Sequence, residues 1–393
     1  MKIMILGGNL TNLGAQAMVY TVISELSERI PNAKFWLMST ETISHVDTAD
    51  YKFEIWPWRF STLVKSVLPT LKTIGLNSAK DVSDLKELLS EVDAIIDISG
   101  FALSSQFKIY RTLKYLLNLY VAKFFDIPVY LLPQSFGPFN YKFPLNALLI
   151  LSMRWLLRYP KKIYARENEG LKYLNSLSLR NLELHRDIVL TRSRQVNSNL
   201  IYKKPKTFAS KIMEVDGVGV IPNKMAVSKN YDIVDLYCAA ILKVPASSNV
   251  TLVVHSHDDR ELCDKIHVRV SQFRDIDILD AQLDAIQMSE LISKFDYLIA
   301  SRYHSIVHGY VVGVPAVIIG WAVKYHELAK IFNQQDFVFD ARDNVDFNKL
   351  EASVELMSQE FEERSAQINV AHASLKDATK VFSKIALDLT NEA

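Results

Sequence analysis

Arg302 and His304 stand two residues apart, a permanent cation beside a side chain that can give or take a proton near neutral pH. The apolar run Tyr297–Ala300 precedes them through Ser301, helical spacing follows to Val312, and Gly313-Val314-Pro315 turns the chain into a second apolar run, Ala316–Ile319. That pattern predicts a strand, a helix and a parallel strand, with Arg302 and His304 at the junction where such sheets place ligands. The pair reads as a seat for an anion next to a proton donor.

Other residues with chemistry fall at similar junctions. Arg166 follows the predicted strand Lys162–Ala165 and opens a helix through Glu167-Asn168-Glu169. A guanidinium there can grip carboxylate or phosphate with two parallel hydrogen bonds, and a surface ion pair is the competing reading. The strand Pro128–Leu132 runs into Pro133-Gln134-Ser135-Phe136-Gly137-Pro138-Phe139, the composition of a shaped loop. Near the start, Gly7-Gly8-Asn9-Leu10-Thr11-Asn12-Leu13-Gly14 links strand Lys2–Leu6 to a helix over Ala15–Arg29. Its spacing fits neither the dinucleotide fingerprint nor the P-loop, so a tight turn and a binding loop both stand. Asp97, in the strand Ala94–Ile98, is a satisfied buried acid or a site residue, and Lys324, just past a strand end, adds positive charge or is simply solvated. His304 and His308 lie four apart, and His255 and His257 end another strand, so a metal-dependent hydrolase is conceivable. No third-ligand motif completes either pair, and His308 reads as a packed helix residue.

These residues need a scaffold of some size. At 393 residues, with 49% apolar and 23% charged, the chain is long enough for two ordered domains. The 45 basic and 44 acidic residues give a net charge of +1, no global case for nucleic-acid binding, so any anion site is local. Cys238 and Cys263 lack redox or metal spacing, which suits a reducing compartment. The first apolar run is too short for a signal-peptide core, and Phe143–Leu157, interrupted by Asn146 and Arg154, falls short of the roughly 20 residues of a membrane span. It reads as a helix, buried or interfacial. Between Ile55 and Leu76, Trp56, Trp58 and Phe60 stand among Arg59, Lys65 and Lys72, a composition that suits a membrane interface, a sugar-binding surface or a loop and helix packed on the core. Strand and helix alternate on both sides of a polar linker over Thr191–Lys206. The expected fold is α/β, two doubly wound domains facing across a cleft: 1–195, 207–340, and a helical tail over 341–393 returning to brace the first domain.

Several motifs together resemble the polysaccharide pyruvyl transferase family: Asn12-Leu13-Gly14-Ala15-Gln16-Ala17-Met18, the Gln134-Ser135-Phe136-Gly137-Pro138-Phe139 loop, Ala165-Arg166-Glu167, Arg186-Asp187, and Ser301-Arg302-Tyr303-His304 continuing to Gly313-Val314-Pro315 and Lys324. They occur in order over most of the chain; the first motif departs in carrying Ala15-Gln16 where an acidic residue often follows the glycine. The resemblance implies Rossmann-like domains in a glycosyltransferase-B-like arrangement, and transfer of the pyruvyl group of phosphoenolpyruvate to two hydroxyls of a saccharide as a ketal, in cell-surface polysaccharide biosynthesis. Under that reading His304 is the general acid, and Arg302 and Arg166 neutralise the donor. Asn12, Gln134, Ser135 and Lys324 contribute to binding, and neither metal nor redox cofactor is required. The acceptor, free or lipid-linked, would sit on the first domain, and the enzyme would be cytoplasmic or peripheral at the inner membrane face. A nucleotide-sugar glycosyltransferase shares such a fold, but His308 occupies the position where retaining members tend to hold ribose with a glutamate. A non-catalytic sugar-binding protein is the third class, and the intact Arg302 and His304 argue against it.

Overall fold

The first strand, β1 (Lys2–Leu6), is apolar in four of five positions and buried along nearly its whole length, the signature of a strand covered on both faces. The same holds for β2 (Lys34–Met38), β4 (Ala94–Asp97), β5 (Val129–Gln134) and β6 (Lys162–Ala165), while β3 (Glu54–Trp56) and β7 (Leu182–Leu184) are short and less buried. All seven pair in parallel in the order β3-β2-β1-β4-β5-β6-β7. A second parallel sheet has the order β10-β9-β8-β11-β12-β13, built from β8 (Val218–Ile221), β9 (Val250–Val253), β10 (Asp277–Leu279), β11 (Tyr297–Ala300), β12 (Ala316–Gly320) and β13 (Val338–Asp340). In each sheet the order reverses once, between β1 and β4 and between β8 and β11. Those reversals open a crevice at the carboxyl ends of the strands.

The structure is a computed structural model that describes residues 1–67, 79–192, 195–204, 206, 214–377 and 381–391. The chain divides into two compact units, Met1–Ile188 with Arg192–Pro205 and Lys380–Ala393, and Lys206–Thr379 with Val189–Thr191. Each has its own core. In the first, residues such as Met4, Ile95 and Leu131 from the sheet meet Leu119, Met153 and Leu174 from the helices. In the second, Val220, Ile299 and Ile319 meet Tyr237, Ile266 and Met357.

The tail differs from the single bracing element expected over 341–393. Its long helix, Phe347–Asp377, belongs to the second unit and packs on the helices Ile233–Leu242 and Tyr303–Val312. The reason is a stripe at helical spacing: Leu350, Val354 and Met357 are fully buried in the second core. Only the last helix, Val381–Asn391, joins the first unit, where Phe382, Ile385 and Leu389 are buried and the helix packs on Leu13–Arg29. Of the aromatic and basic stretch 55–76, residues beyond 67 lie outside the described residues. Trp58 and Leu63 are buried in the first core.

Candidate active site

In the second unit the reversal between β8 and β11 carries the residues singled out by their chemistry. β11 ends at Ala300, Ser301 is fully buried, and Arg302 is the N-cap of the helix Tyr303–Val312. Three side chains clamp Ser301. Asn223, just past β8, donates Nδ2 to its carbonyl at 3.2 Å, Tyr325 donates its hydroxyl to the same carbonyl at 2.7 Å, and the Tyr237 hydroxyl meets the serine hydroxyl. The strand end is thereby fixed before the helix begins.

Arg302 is aimed by Asp259. Its Nε reaches Oδ2 at 2.7 Å and Nη2 reaches Oδ1 at 2.6 Å, a two-pronged pair with the carboxylate fully buried. Asp259 is held in turn by the Lys224 amide at 3.1 Å. The Nη1 side of Arg302 makes no protein hydrogen bond among the described residues. His304 lies in the first turn of the same helix, half-buried, with its ring edge-on to Tyr303 at 5.4 Å between centroids. First-turn amides and the helix dipole favour negative charge at this spot. Lys324 joins them: its Nζ lies 4.8 Å from the Tyr303 ring centre, 5.1 Å from Trp321 and 5.6 Å from Tyr325. Such a setting holds an ammonium by cation–π attraction. His255, past the end of β9, keeps its Nε2 shielded and without a hydrogen-bond partner among the described residues. Burial, reinforced by the charges of Arg302 and His304, pushes its pKa down to about 3, so it is a neutral imidazole. His308 is buried within the helix, and among the described residues no three His, Cys, Asp or Glu side chains converge as metal ligands.

In the first unit, Gln134, Ser135 and Arg166 come together, but around one another. Arg166 is 6% exposed and donates Nε to Glu167 at 2.7 Å, Nη1 to Asp187 at 3.1 Å and Nη2 to Ser135 at 2.7 Å. Ser135 closes the ring by donating to Glu167 at 2.8 Å. The guanidinium expected to fork a ligand anion is thus occupied by the protein, with two carboxylates compensating its burial. Gln134 is fully buried, accepts from the Tyr115 hydroxyl at 3.1 Å and donates to Asp97 at 3.4 Å. Asp97 is almost fully buried, and desolvation raises its pKa to about 6 against the opposing bonds from Ser99 and Gln134. The loop turns at Gly137, with φ +77°, where a Cβ would stand 2.3 Å from the Tyr173 ring. Only glycine fits there. Asn12 is the N-cap of Leu13–Arg29, its Oδ1 accepting from the Gly14 amide at 3.0 Å and the Ala15 amide at 3.1 Å.

The reversal between β1 and β4 opens into a pocket of about 410 Å³ entirely within the first unit. Gly7, Gly8 and Ser99 form its floor at the strand ends, and Trp58, Tyr115, Glu41, Arg111 and Lys114 stand around it. Trp58 is oriented by a 3.0 Å bond from its Nε1 to Asn118. Lys114 has a lowered pKa, from burial first and the neighbouring Arg111 charge second. Aromatic faces with a few polar and charged groups are what a sugar ring is held by.

Comparison with known proteins decides the family. The family model described as polysaccharide pyruvyl transferase matches residues 12–322. The chain belongs to the polysaccharide pyruvyl transferase family. No curated protein matches it by sequence. Among solved structures, Anabaena HepE in complex with UDP is similar at 13% identity and a TM-score of 0.56, with all of both chains covered. Neisseria meningitidis UDP-GlcNAc 2-epimerase bound to UDP-GlcNAc is similar at 12% identity and a TM-score of 0.59, again over all of both chains. A UDP-glucose: anthocyanidin 3-O-glucosyltransferase in complex with UDP reaches 10% identity and a TM-score of 0.53 over 99% of each chain. At such identities the likeness is one of fold, two Rossmann-like domains of the glycosyltransferase-B kind.

For this pyruvyl transferase family chain, the matched span takes in Asn12, Gln134, Ser135, Arg166, Arg302 and His304 and stops just before Lys324. Residues that sequence reasoning passed over are Asp259, Asn223, Tyr325 and Lys114. Asp259 offered one faint signal, since it ends the His255-Ser256-His257-Asp258-Asp259 cluster at the tip of a predicted strand.

Proposed function

We propose that the chain transfers the pyruvyl group of phosphoenolpyruvate onto two hydroxyls of a saccharide, with its reacting centre at the carboxyl end of β11. The observation that carries the reading is Arg302, locked by buried Asp259 beside His304 at a helix start, in a chain of this family. Phosphoenolpyruvate brings a carboxylate and a phosphate, and Arg302 with Lys324 supplies two cations for them. His304 delivers a proton to the terminal methylene, which leaves an oxocarbenium-like carbon. One sugar hydroxyl adds there, the C–O bond to phosphate breaks, and a second hydroxyl closes the ketal; of the two hydroxyl protons, one restores His304 and the other goes to the leaving phosphate. Donor and diol become ketal and inorganic phosphate, with no redox cofactor or metal in the balance.

Arg166 serves this scheme as the framework of the Gln134-Ser135 loop, since its donors are spent on Glu167, Asp187 and Ser135. The pocket with Trp58, Tyr115, Arg111 and Lys114 suits the saccharide acceptor, and a lipid-linked acceptor would bring the protein to the cytoplasmic membrane face. The deciding experiment follows phosphate release from phosphoenolpyruvate with a panel of glycans, beside a panel of UDP-sugars without phosphoenolpyruvate. Phosphate release that depends on a glycan, and that disappears in His304→Ala while donor binding persists, is the expected result. UDP release from the second panel alone would favour the nucleotide-sugar reading suggested by the fold of the UDP-bound neighbours, and full activity in His304→Ala would remove that residue from the acid role.

A further inference from the structure

The helix Leu145–Leu156 is apolar at nine of its twelve positions and carries a single charged residue, Arg154. One side is accounted for, because Leu149, Met153 and Leu156 are buried in the first core. The other side is not. Leu148 and Leu151 are each 61% exposed and Trp155 is 52% exposed, with Leu145 beside them. At 100° per residue these four fall within about 120° of arc, beside the buried stripe, with the two centres about 110° apart. Phe143, two residues before the helix, is 95% exposed. The patch continues onto the neighbouring helix Ile109–Phe124: Trp155 packs against Tyr120 at 6.0 Å, Tyr120 against exposed Phe124 at 6.5 Å, and Lys123 Nζ lies 5.7 Å from the Trp155 ring.

The sequence that carries this face is basic. Between Asp97 and Glu167 the chain holds ten Lys and Arg residues and one acid, Asp126, although the whole chain is nearly neutral at +1; Arg166 is paired internally, and Arg111 and Lys114 line the first-unit pocket. Lys123, Lys142, Arg154 and Arg158, which flank the apolar face in sequence, are all exposed. A twelve-residue helix is about 18 Å long and too short to cross a bilayer. Among the described residues no helix is long and apolar enough to do so.

We propose that this face docks on an anionic lipid bilayer, with the helix lying in the interface plane, Phe143, Leu148, Leu151 and Trp155 entering the headgroup boundary, and the surrounding lysines and arginines reading its negative charge. The assignment deepens the peripheral-membrane part of the functional reading and rests on it only for the purpose of contact. It moves that contact from the 55–76 stretch, whose Trp58 is buried, to 143–158. The occupant follows from charge complementarity: exposed Lys123, Lys142, Arg154 and Arg158 beside an apolar, Trp-bearing face match a bilayer carrying acidic headgroups.

The full chain is tested by co-sedimentation with phosphatidylcholine vesicles and with mixed phosphatidylcholine and phosphatidylglycerol vesicles. Binding to the mixed vesicles, weakened by salt, is expected, with at least a tenfold loss in the Leu148→Glu, Leu151→Glu double variant and a loss of salt sensitivity in Lys142→Glu, Arg158→Glu. Because all four positions are exposed, melting temperature should be unchanged, as should phosphate release with a water-soluble acceptor. Equal sedimentation of the double variant and the parent overturns the proposal. So does a dimer in solution that the double variant dissociates while the parent ignores vesicles, since the face then belongs to a second copy. Vesicle binding without any phosphoenolpyruvate turnover would keep the docking surface and discard the reaction.

Discussion

Arg302 depends for its aim on a carboxylate 43 positions away in the chain. Replacing Asp259 by Asn keeps the shape and removes the charge, so the guanidinium loses its two-pronged anchor. The cost to stability should be about 1.5–3 kcal/mol, the range for a hydrogen bond to a charged group. Asp259 touches no substrate in the proposed scheme and acts as a positioning residue. The expected kinetic signature is therefore a raised KM for phosphoenolpyruvate with a fall in kcat/KM of about tenfold or more, partly restored by Asp259→Glu. Unchanged kinetics at full stability would detach Asp259 from the site. Close by, His255 makes a pH prediction. Its pKa falls from 6.5 to about 3 on folding, so the unfolded chain binds more protons between those values. Stability held above pH 6.5 is lost as pH falls toward 3. Asp97 acts in the opposite sense, because its pKa rises from 3.8 to about 6 and its contribution fades as pH climbs through that window. Urea midpoints between pH 4 and 6.5 should accordingly fall less steeply with acidification in His255→Gln than in the parent; an identical slope would mean that His255 is solvated. None of this was visible in the residue types. A lone Arg at a strand end looks the same whether two of its nitrogens pair with one buried carboxylate, as in Arg302, or all three are bonded to Glu167, Asp187 and Ser135, as in Arg166.

Elements were more legible than contacts, for a physical reason. Strands buried on both faces must be continuously apolar, so β1, β5, β8, β11 and β12 stand out as runs. The strands β3 (Glu-Ile-Trp) and β7 (Leu-Glu-Leu) escaped notice because each is three residues long, edges its sheet, and carries a glutamate among its few positions. Helix ends could be read where the backbone demanded one residue. Gly313 closes the helix Tyr303–Val312 in the left-handed region at φ +83°, and a Cβ there would stand 2.7 Å from the Asn369 side chain. Alanine at this position should cost about 1–2 kcal/mol from the backbone alone, with more from displacing Asn369. The check is the urea midpoint together with phosphoenolpyruvate KM, since the same helix carries His304. A variant of parental stability would show that the cap can be rebuilt without glycine.

At the scale of the whole molecule, the two reversals of strand order mark where ligands sit in such sheets, and the tail is divided, its long helix in the second unit and its last helix in the first. The alternation of strand and helix was enough to expect two doubly wound units. It could not apportion the tail, because a helical pattern shows which face is apolar but not which sheet receives it. Two arginines were expected to serve one donor; Arg166 is ringed by Glu167, Asp187 and Ser135, whereas Arg302 is paired with Asp259 through Nε and Nη2. Phosphoenolpyruvate bound only to the folded protein should stabilise it by about 2.7 kcal/mol at a hundredfold excess over Kd, seen as a rise of several degrees in melting temperature. Arg302→Ala should abolish that rise, and because it strands the buried Asp259 carboxylate its unliganded baseline should fall as well. Arg166→Ala should lower the baseline but keep the rise. It strands Asp187 and Glu167 without their shared cation, at a cost of about 3–5 kcal/mol, while the ligand-induced increment survives. If instead Arg166→Ala keeps its baseline and loses the increment, Arg166 binds the donor directly and the ring around Ser135 must open to let it do so.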